Sequence, residues 1–318
     1  MDILVTGGAG FIGSNFIRYM LDTHPDYKII NLDKLTYAGN PDNLKSFENN
    51  ANYSFVHGDI CDPDVVDPLM QQSNCVVHFA AESHVDRSIE DGVAFVRTNV
   101  LGTYVMLESA LRAGIDRFIH ISTDEVYGSI TDGSFNETDI LTPSSPYSSS
   151  KAGSDLLARS FYITHNLPVI ITRCTNNFGP YQYPEKLIPL FITNLIEGLK
   201  VPVYGTGQNI RDWIYVLDHC KAVDFILHGG ETGEIYNIGG GTEITNIEIT
   251  KMILNILNND ESMIKYVQDR PGHDLRYSLD CSKLMHLGWS PEYEFKRALE
   301  DTVKWYVENR WWWEKLRH

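Results

Sequence analysis

The sequence lacks three things: long apolar runs, cysteines in pairs and an excess of positive charge. No stretch reaches the roughly 18 consecutive apolar residues of a membrane-spanning helix, so no membrane association is expected. The five cysteines, Cys61, Cys75, Cys174, Cys220 and Cys281, are odd in number and nowhere spaced as CxxC. That pattern carries neither a disulfide framework nor a zinc site; no metal is expected, and a reducing, cytoplasmic location is. Lys and Arg total 26 against 42 Asp and Glu, a net charge of -16 at pH 7. A nucleic acid or an anionic membrane needs a basic face that such a chain does not offer. An anionic substrate would need a local basic pocket within the negative field. The opening "MDILVTGGAG" reaches its first strand too early to leave room for a secretory leader.

What is present is enough apolar material for a large core. With 318 residues, 43% hydrophobic and 11% aromatic, the chain fits a large α/β domain with an attached lobe, or two domains. Its first half alternates short apolar strands with helix-length segments. "ILVTGG", "YKIINLD", "YSFVHGD", "CVVHFAA", "RFIHISTDEVYG" and "LPVIITRCTN" read as strands, and "GFIGSNFIRYMLDTHP" has helical spacing ended by Pro25. This alternation predicts a Rossmann-type, doubly wound parallel sheet with ligands at the carboxyl ends of its strands.

Beyond about residue 175 the alternation fades. "NNFGPYQYPEKLIP" reads as loop, "PVYGTGQNIRDWIYV" as a hairpin around Gly205 and Gly207, "GEIYNIGGG" as a strand and the tail as helix. The expected division is a Rossmann domain of residues 1–175 plus about 211–240, and a smaller α/β substrate-binding lobe of 176–210 plus about 241–318. The three adjacent indoles Trp311 to Trp313 cannot share one helix face, so they are expected to split between packing and exposure.

"TGGAGFIGS" supplies Gly7, Gly8, Gly10 and Gly13 after a strand and before a helix, and Asp33 follows at the end of the second strand. Glycines there let a pyrophosphate approach the backbone, with its charge on the amides of the helix start. Asp33 would accept from both hydroxyls of an adenosine ribose and repel a 2'-phosphate, which favours NAD over NADP, although Lys34 tempers that repulsion. Asp59 and Ile60 of "GDI" would hold the adenine, and Phe79, Ala80 and Ala81 of "FAAES" would pass the cofactor.

Tyr147 and Lys151 lie four apart in a helix that starts at Ser145 and Pro146, so they share a face. A tyrosine is a poor base at neutral pH, and a nearby cation favours its phenolate. On the preceding strand end stands "STDEVYG", in which two adjacent acids, Asp124 and Glu125, follow Thr123. Adjacent carboxyls titrate as a coupled pair, so one tends to stay protonated and a single dipeptide offers both an acid and a base. Further on, Lys186, Arg211 and Arg270 are cations in loop-like segments, suited to diphosphate oxygens. The alternative for Arg211 is an ion pair with Asp212 or another nearby acid.

The stretches "TGGAGFIGS", "NLDKLTYAGN", "AAESHVDRSI", "STDEVYG", "PYSSSKAGSD", "RCTNNFGPYQYPEKLIPL", "YGTGQNIRDWIYVLDHC" and "RPGHDLRY" run through most of the chain. Through them it resembles the extended short-chain dehydrogenase/reductases, and most specifically the dTDP-glucose 4,6-dehydratase family. The resemblance implies an NAD-dependent hydro-lyase of deoxysugar biosynthesis, dTDP-rhamnose for example, that acts on the nucleotide sugar dTDP-glucose as a homodimer. It implies that Tyr147 takes the proton of the sugar 4-hydroxyl, that Thr123 holds the C4 oxygen, that Glu125 takes the C5 proton and that Asp124 protonates the departing 6-hydroxyl. It adds Phe11, Ile12, Leu35, Thr36, Ser83, Thr98 and Asn177 on the cofactor side. On the substrate side it adds Ser83, Asn176, Lys186, Leu187, Pro202, Tyr204, Arg211, Asn246, Arg270 and His273. The homodimer would pair the helix around "VRTNVLGTYVMLESALRAG" with the Tyr147 helix.

Three other readings compete. A nucleotide-sugar 4-epimerase shares the glycine loop, Tyr and Lys but needs no acid pair after Thr123. A GDP-mannose 4,6-dehydratase keeps an acid but usually wants NADP, which Asp33 disfavours. A non-catalytic NAD-binding scaffold or sensor would more naturally show a broken catalytic set.

Overall fold

The computed structural model describes residues 1–269 and 274–317, so the expectations for Arg270 and His273 lie outside the described residues. Twelve strands occur among these: β1 Asp2–Thr6, β2 Lys28–Asp33, β3 Tyr53–His57, β4 Cys75–His78, β5 Arg117–Thr123 and β6 Val169–Cys174, followed by β7 Asn176–Phe178, β8 Val201–Tyr204, β9 Ile210–Tyr215, β10 Ile235–Ile238, β11 Glu243–Thr245 and β12 Ile264–Val267. Seven of them form one parallel sheet in the order β10-β6-β5-β4-β1-β2-β3. The runs "CVVH" and "VIITRC" are apolar or small at nearly every position because both faces of these central strands are covered, and every residue in them is buried. Two apolar clusters fill the two faces, one around Phe16, Ile17, Val77 and Ile226 and the other around Leu4, Val76, Phe118 and Phe161. Strand order reverses between β1 and β4, and an open sheet of this kind receives ligands in the crevice at that point.

The remaining strands make a three-stranded sheet, β11-β9-β7, and a two-stranded one, β12-β8. The helices Leu187–Ile196, Asn246–Ile256 and Phe295–Glu308 surround them, and a separate core of Phe178, Phe191, Trp213, Leu299 and Tyr306 lies between. The expected hairpin around Gly205 and Gly207 is not formed. β8 pairs in parallel with β12, whereas β9 pairs with β7 and β11. Both glycines have positive φ, +53° and +72°, and a Cβ at Gly207 would come within 2.8 Å of Val203 and 3.0 Å of Ile247. The turn therefore sends the two strands into different sheets instead of folding them on each other.

Within residues 211–240, the Val216–Gly229 helix packs on the main-sheet side, where Val223 and Ile226 join the cluster of Phe16 and Ile17, and β10 closes the edge beside β6. β9 belongs to the small sheet. The indoles split as expected: Trp312 and Trp313 are buried and Trp311 is 56% exposed. Trp312 Nε1 donates to Asn43 Oδ1 at 2.7 Å, which ties the tail back to the 3₁₀ segment Pro41–Phe47 after β2.

Candidate active site

A cleft of about 820 Å³ runs along the carboxyl ends of the strands, with the glycine loop at one end and the small lobe at the other. Gly7 has φ +70°, and a Cβ there would meet the Ala80 amide nitrogen at 2.6 Å. A Cβ at Gly13 would meet the Gly7 carbonyl at 2.4 Å, so β1, the first helix and the β4 loop close together only because these residues lack side chains. The helix Phe11–Thr23 starts at Gly10 with no side-chain cap and no acidic residue in its first turn. Its first amides are therefore free of protein anions, which fits a dinucleotide pyrophosphate.

Asp33 is buried, and its carboxylate accepts from the amides of Ala9 (2.9 Å) and Leu35 (2.8 Å). Each oxygen keeps a lone pair for a ribose hydroxyl. Burial raises its pKa despite those bonds. Lys34 turns to Asp59, Nζ to Oδ2 2.8 Å, and so is not a free cation for a 2'-phosphate. Phe11, Ile12, Thr36, Ile60, Phe79, Ala81, Ser83 and Thr98 line the same cleft. Leu35 does not; it has φ +53°, and its amide is spent on Asp33.

Thr123 ends β5, and the acids follow in a single 3₁₀ turn, Asp124–Val126, at the mouth of the sheet. Thr123 Oγ1 donates to Asp124 Oδ1 at 3.1 Å and accepts from the Glu125 amide at 3.3 Å. Burial, and then the Glu125 charge, push the Asp124 carboxyl up to about 8. At neutral pH Asp124 is therefore predominantly an acid while it sits next to a second carboxyl. Its Oδ2, and Trp213 Nε1 and Asn246 Oδ1 of the same cleft, are buried with no hydrogen-bond partner among the described residues. Such orphaned atoms mark a wall shaped for a polar ligand.

The helix Pro146–His165 opens with Ser145 and Ser148 in a reciprocal capping box and Pro146 in its first turn, which aims Tyr147 and Lys151 into the cleft. Tyr147 and Thr123 line the same cleft. Burial, followed by the Glu125 charge, holds the Tyr147 hydroxyl well above the ordinary tyrosine range. Lys151 is buried and donates to the Ile121 carbonyl at 2.7 Å, and burial lowers its pKa. The phenolate expected from Lys151 is therefore not favoured by the protein alone, because dehydration and the neighbouring acid oppose it.

On the lobe side Asn176, Lys186, Leu187, Pro202, Tyr204, Arg211 and Asn246 all line the cleft. Lys186 Nζ donates to the Ser83 carbonyl at 2.9 Å. Asn177 also lines the cleft, although its amide is occupied by Thr175 O (3.0 Å) and His219 Nδ1 (2.9 Å). Arg211 is buried and donates to the backbone carbonyls of Ile210 (2.7 Å) and Asp274 (3.0 Å), while the Asp212 carboxylate accepts from the Thr242 amide. Its guanidinium stacks over the Tyr277 ring at 4.4 Å, and its charge reaches Asp124.

The family model for GDP-mannose 4,6 dehydratase matches residues 4–302. A dTDP-glucose 4,6-dehydratase of Streptomyces niveus is 54% identical over 100% of this chain and 96% of its own. The chain belongs to the dTDP-glucose 4,6-dehydratase family. Low-salt glycan biosynthesis protein Agl12 of Haloferax volcanii is 55% identical over 96% of this chain and 99% of its own. The crystal structure of DesIV, a dTDP-glucose 4,6-dehydratase from Streptomyces venezuelae with NAD and dTDP bound, superposes with a TM-score of 0.97 at 53% identity, covering 99% of this chain and 100% of that one.

Side chains that sequence reasoning missed line or brace the cleft of this dehydratase family member. Tyr277 donates to Asp274 Oδ2 at 2.5 Å and carries Arg211 on its ring, and Trp213 stands on β9 beside Asn176 on β7. Asn99 clamps the backbone of Glu82, next to Ser83, by accepting from its amide at 2.8 Å and donating to its carbonyl at 3.0 Å. Asn99 carries no motif signal. Tyr277 lies within "RPGHDLRY", where the charged residues draw attention first.

Proposed function

We propose that the protein converts dTDP-glucose to dTDP-4-keto-6-deoxyglucose and water, with NAD as a cofactor recycled within each turnover. The observation that carries this reading is the acid pair: a carboxyl kept protonated to about pH 8 directly beside a second one, at the strand end that faces Tyr147. An epimerase has no use for that pair. Tyr147 takes the proton of the 4-hydroxyl, with Thr123 orienting the C4 oxygen. The resulting ketone acidifies C5; Glu125 removes that proton, and Asp124 donates its own to the 6-hydroxyl, so water leaves and a C5–C6 double bond forms. Glu125 then returns a proton to C5. Bound NAD would supply the two-electron relay, accepting hydride from C4 and giving it back at C6. Arg211 and Lys186 supply local positive charge for the diphosphate within an acidic chain. The glycine loop and Asp33 hold the cofactor; Asn176, Tyr204 and Asn246 line the nucleotide-sugar end.

Incubation with dTDP-glucose and no added reductant should give a product lighter by one water. Turnover should fall as pH rises through about 8, where Asp124 loses the proton it must donate. An isomer of unchanged mass would overturn the dehydratase assignment. Linkage to folding has the same sign. The folded pKa of Asp124 lies above the unfolded one, so its contribution to stability is present at acid pH and lost as pH rises through about 8.

The two-lobe division and a homodimer belong to the same proposal. Val96, Leu101 and Tyr104 are exposed on one side of the helical segment 96–113, and Leu156 and Ile163 on the adjoining Pro146–His165 helix. The Tyr104 ring meets Phe161 at 5.9 Å, so the two exposed sets form one apolar face, which a second copy of the chain would cover. The double variant Leu156→Glu, Ile163→Glu should sediment as a monomer, and an unchanged native mass would remove the proposal. A cytosolic setting is supported by the cysteines, all five of which are free. No helix of the described residues is long and apolar enough to cross a membrane. A 4-keto-6-deoxy sugar nucleotide is the precursor class for deoxysugars such as dTDP-rhamnose.

A further inference from the structure

At the opposite end of the first helix from the glycine loop, three residues that no motif connects come together. His24 follows the helix Phe11–Thr23, and Asp224 and His228 stand four apart on the Val216–Gly229 helix, hence on one face. His24 Nε2 lies 3.1 and 3.0 Å from the two oxygens of Asp224, and His228 Nδ1 lies 3.0 Å from Asp224 Oδ1. One ligand atom from each of the three residues falls within 4.8 Å of the others.

We propose that these three side chains form a site for one borderline divalent cation of the Zn²⁺ class, which pins the first helix to the Val216–Gly229 helix. Metal–nitrogen and metal–oxygen bonds of about 2.0–2.2 Å at tetrahedral angles place neighbouring ligand atoms roughly 3.3–3.5 Å apart. The carboxylate–imidazole separations of 3.0 to 3.1 Å need to widen by a few tenths of an ångström, and the two imidazole nitrogens, within 4.8 Å of each other, must settle to the same spacing. Two imidazoles and a carboxylate suit zinc, nickel or copper rather than magnesium or calcium.

The surroundings fit ligand support as well. Tyr27 stacks on the His24 ring at 4.6 Å, and its hydroxyl bonds His228 Nε2 at 2.8 Å, which leaves Nδ1 of that ring between the Asp224 carboxylate (3.0 Å) and the Asp224 backbone carbonyl (2.9 Å), the bond an ion would replace. Tyr19 donates to Asp224 Oδ2 at 3.2 Å. Asp224 is buried, whereas the His24 and His228 side chains are 24% and 37% exposed, so solvent reaches both imidazoles and can supply a water to the coordination. The helix is 13 residues long, which separates the cluster from the glycine loop by about 20 Å. The site is therefore structural and stands apart from the reaction.

The test uses the full chain, stripped with a chelator, dialysed and titrated with Zn²⁺ alone. One equivalent should bind per chain, and thermal unfolding should move upward with Zn²⁺ concentration. His228→Gln changes a partly exposed residue, so it should fold and turn over dTDP-glucose as the wild type does, yet bind Zn²⁺ at least tenfold more weakly. Cobalt should give the intense visible bands of a tetrahedral site in the wild type and not in His24→Asn. Equal Zn²⁺ affinity in wild type and His228→Gln, or no binding at all, would overturn the proposal and leave the cluster as a hydrogen-bonded staple.

Discussion

Glu125→Gln should leave the protein able to oxidise its substrate and unable to dehydrate it. Glutamine keeps the shape of the side chain but cannot take a proton, so the step at C5 loses its base while Thr123, Tyr147 and Lys151 remain in place. Loss of a positioned general base lowers the rate by roughly 10² to 10⁴. A stoichiometric reaction quenched in acid should yield the 4-keto hexose with all its oxygens and no 6-deoxy product. In D₂O, wild-type product should carry solvent deuterium at C5, and the variant should exchange almost none. Removing the Glu125 charge also removes the second cause of the Asp124 and Tyr147 shifts, so both groups should titrate lower in the variant. Water loss at the wild-type rate would assign the C5 base to another group.

Tyr147→Phe should fail one step earlier, again by roughly 10² to 10⁴. Phenylalanine fills the same space, keeps the edge contact with Phe95 (6.2 Å between centroids) and removes only the hydroxyl. Quenched reactions should contain unchanged substrate and no ketone. The wild-type rate of ketone formation, read in quenched single turnovers, should rise with pH, because burial and Glu125 make the Tyr147 proton hard to remove. That dependence should flatten in the variant. The contrast between the two variants, ketone in one and none in the other, separates their roles in a way that a loss of overall rate cannot. Turnover of Tyr147→Phe within tenfold of wild type would sink its assignment as the base at the 4-hydroxyl.

Much of this site is legible in the sequence, for reasons local to the chain. A glycine loop between a strand and a helix has few alternatives, because Gly7 and Gly13 stand where a Cβ would strike backbone atoms. Tyr147 and Lys151 share a face by helical periodicity alone, and the apolar run before Thr123 to Glu125 ties them to a strand end. Alternation of strand and helix implies a parallel sheet, and the seven-stranded order carries it through.

Other features are not legible there, because they depend on contacts between residues far apart in sequence. The segment around Gly205 and Gly207 has hairpin composition, yet β8 finds its partner in β12 and β9 finds its own in β7 and β11. Turn residues specify that the chain bends, and the available edges decide what it pairs with. Leu35 stands among cofactor residues by position, but its positive φ and its bond to Asp33 take it out of the cleft lining. Lys34 reads as a free cation in the sequence and is half of an ion pair with Asp59 in the fold.

From its sequence alone, this protein is a Rossmann-type nucleotide-sugar enzyme with a tyrosine, a lysine and an acid pair in attendance, because spacing and local chemistry determine those features. The tertiary structure decided which acid holds its proton, that Tyr147 is hard to ionise, that Tyr277 supports Arg211, and that His24 meets Asp224 and His228. Each of these depends on burial and on charges brought close from distant parts of the chain, and no short window of residues records a dielectric environment or a partner two hundred positions away.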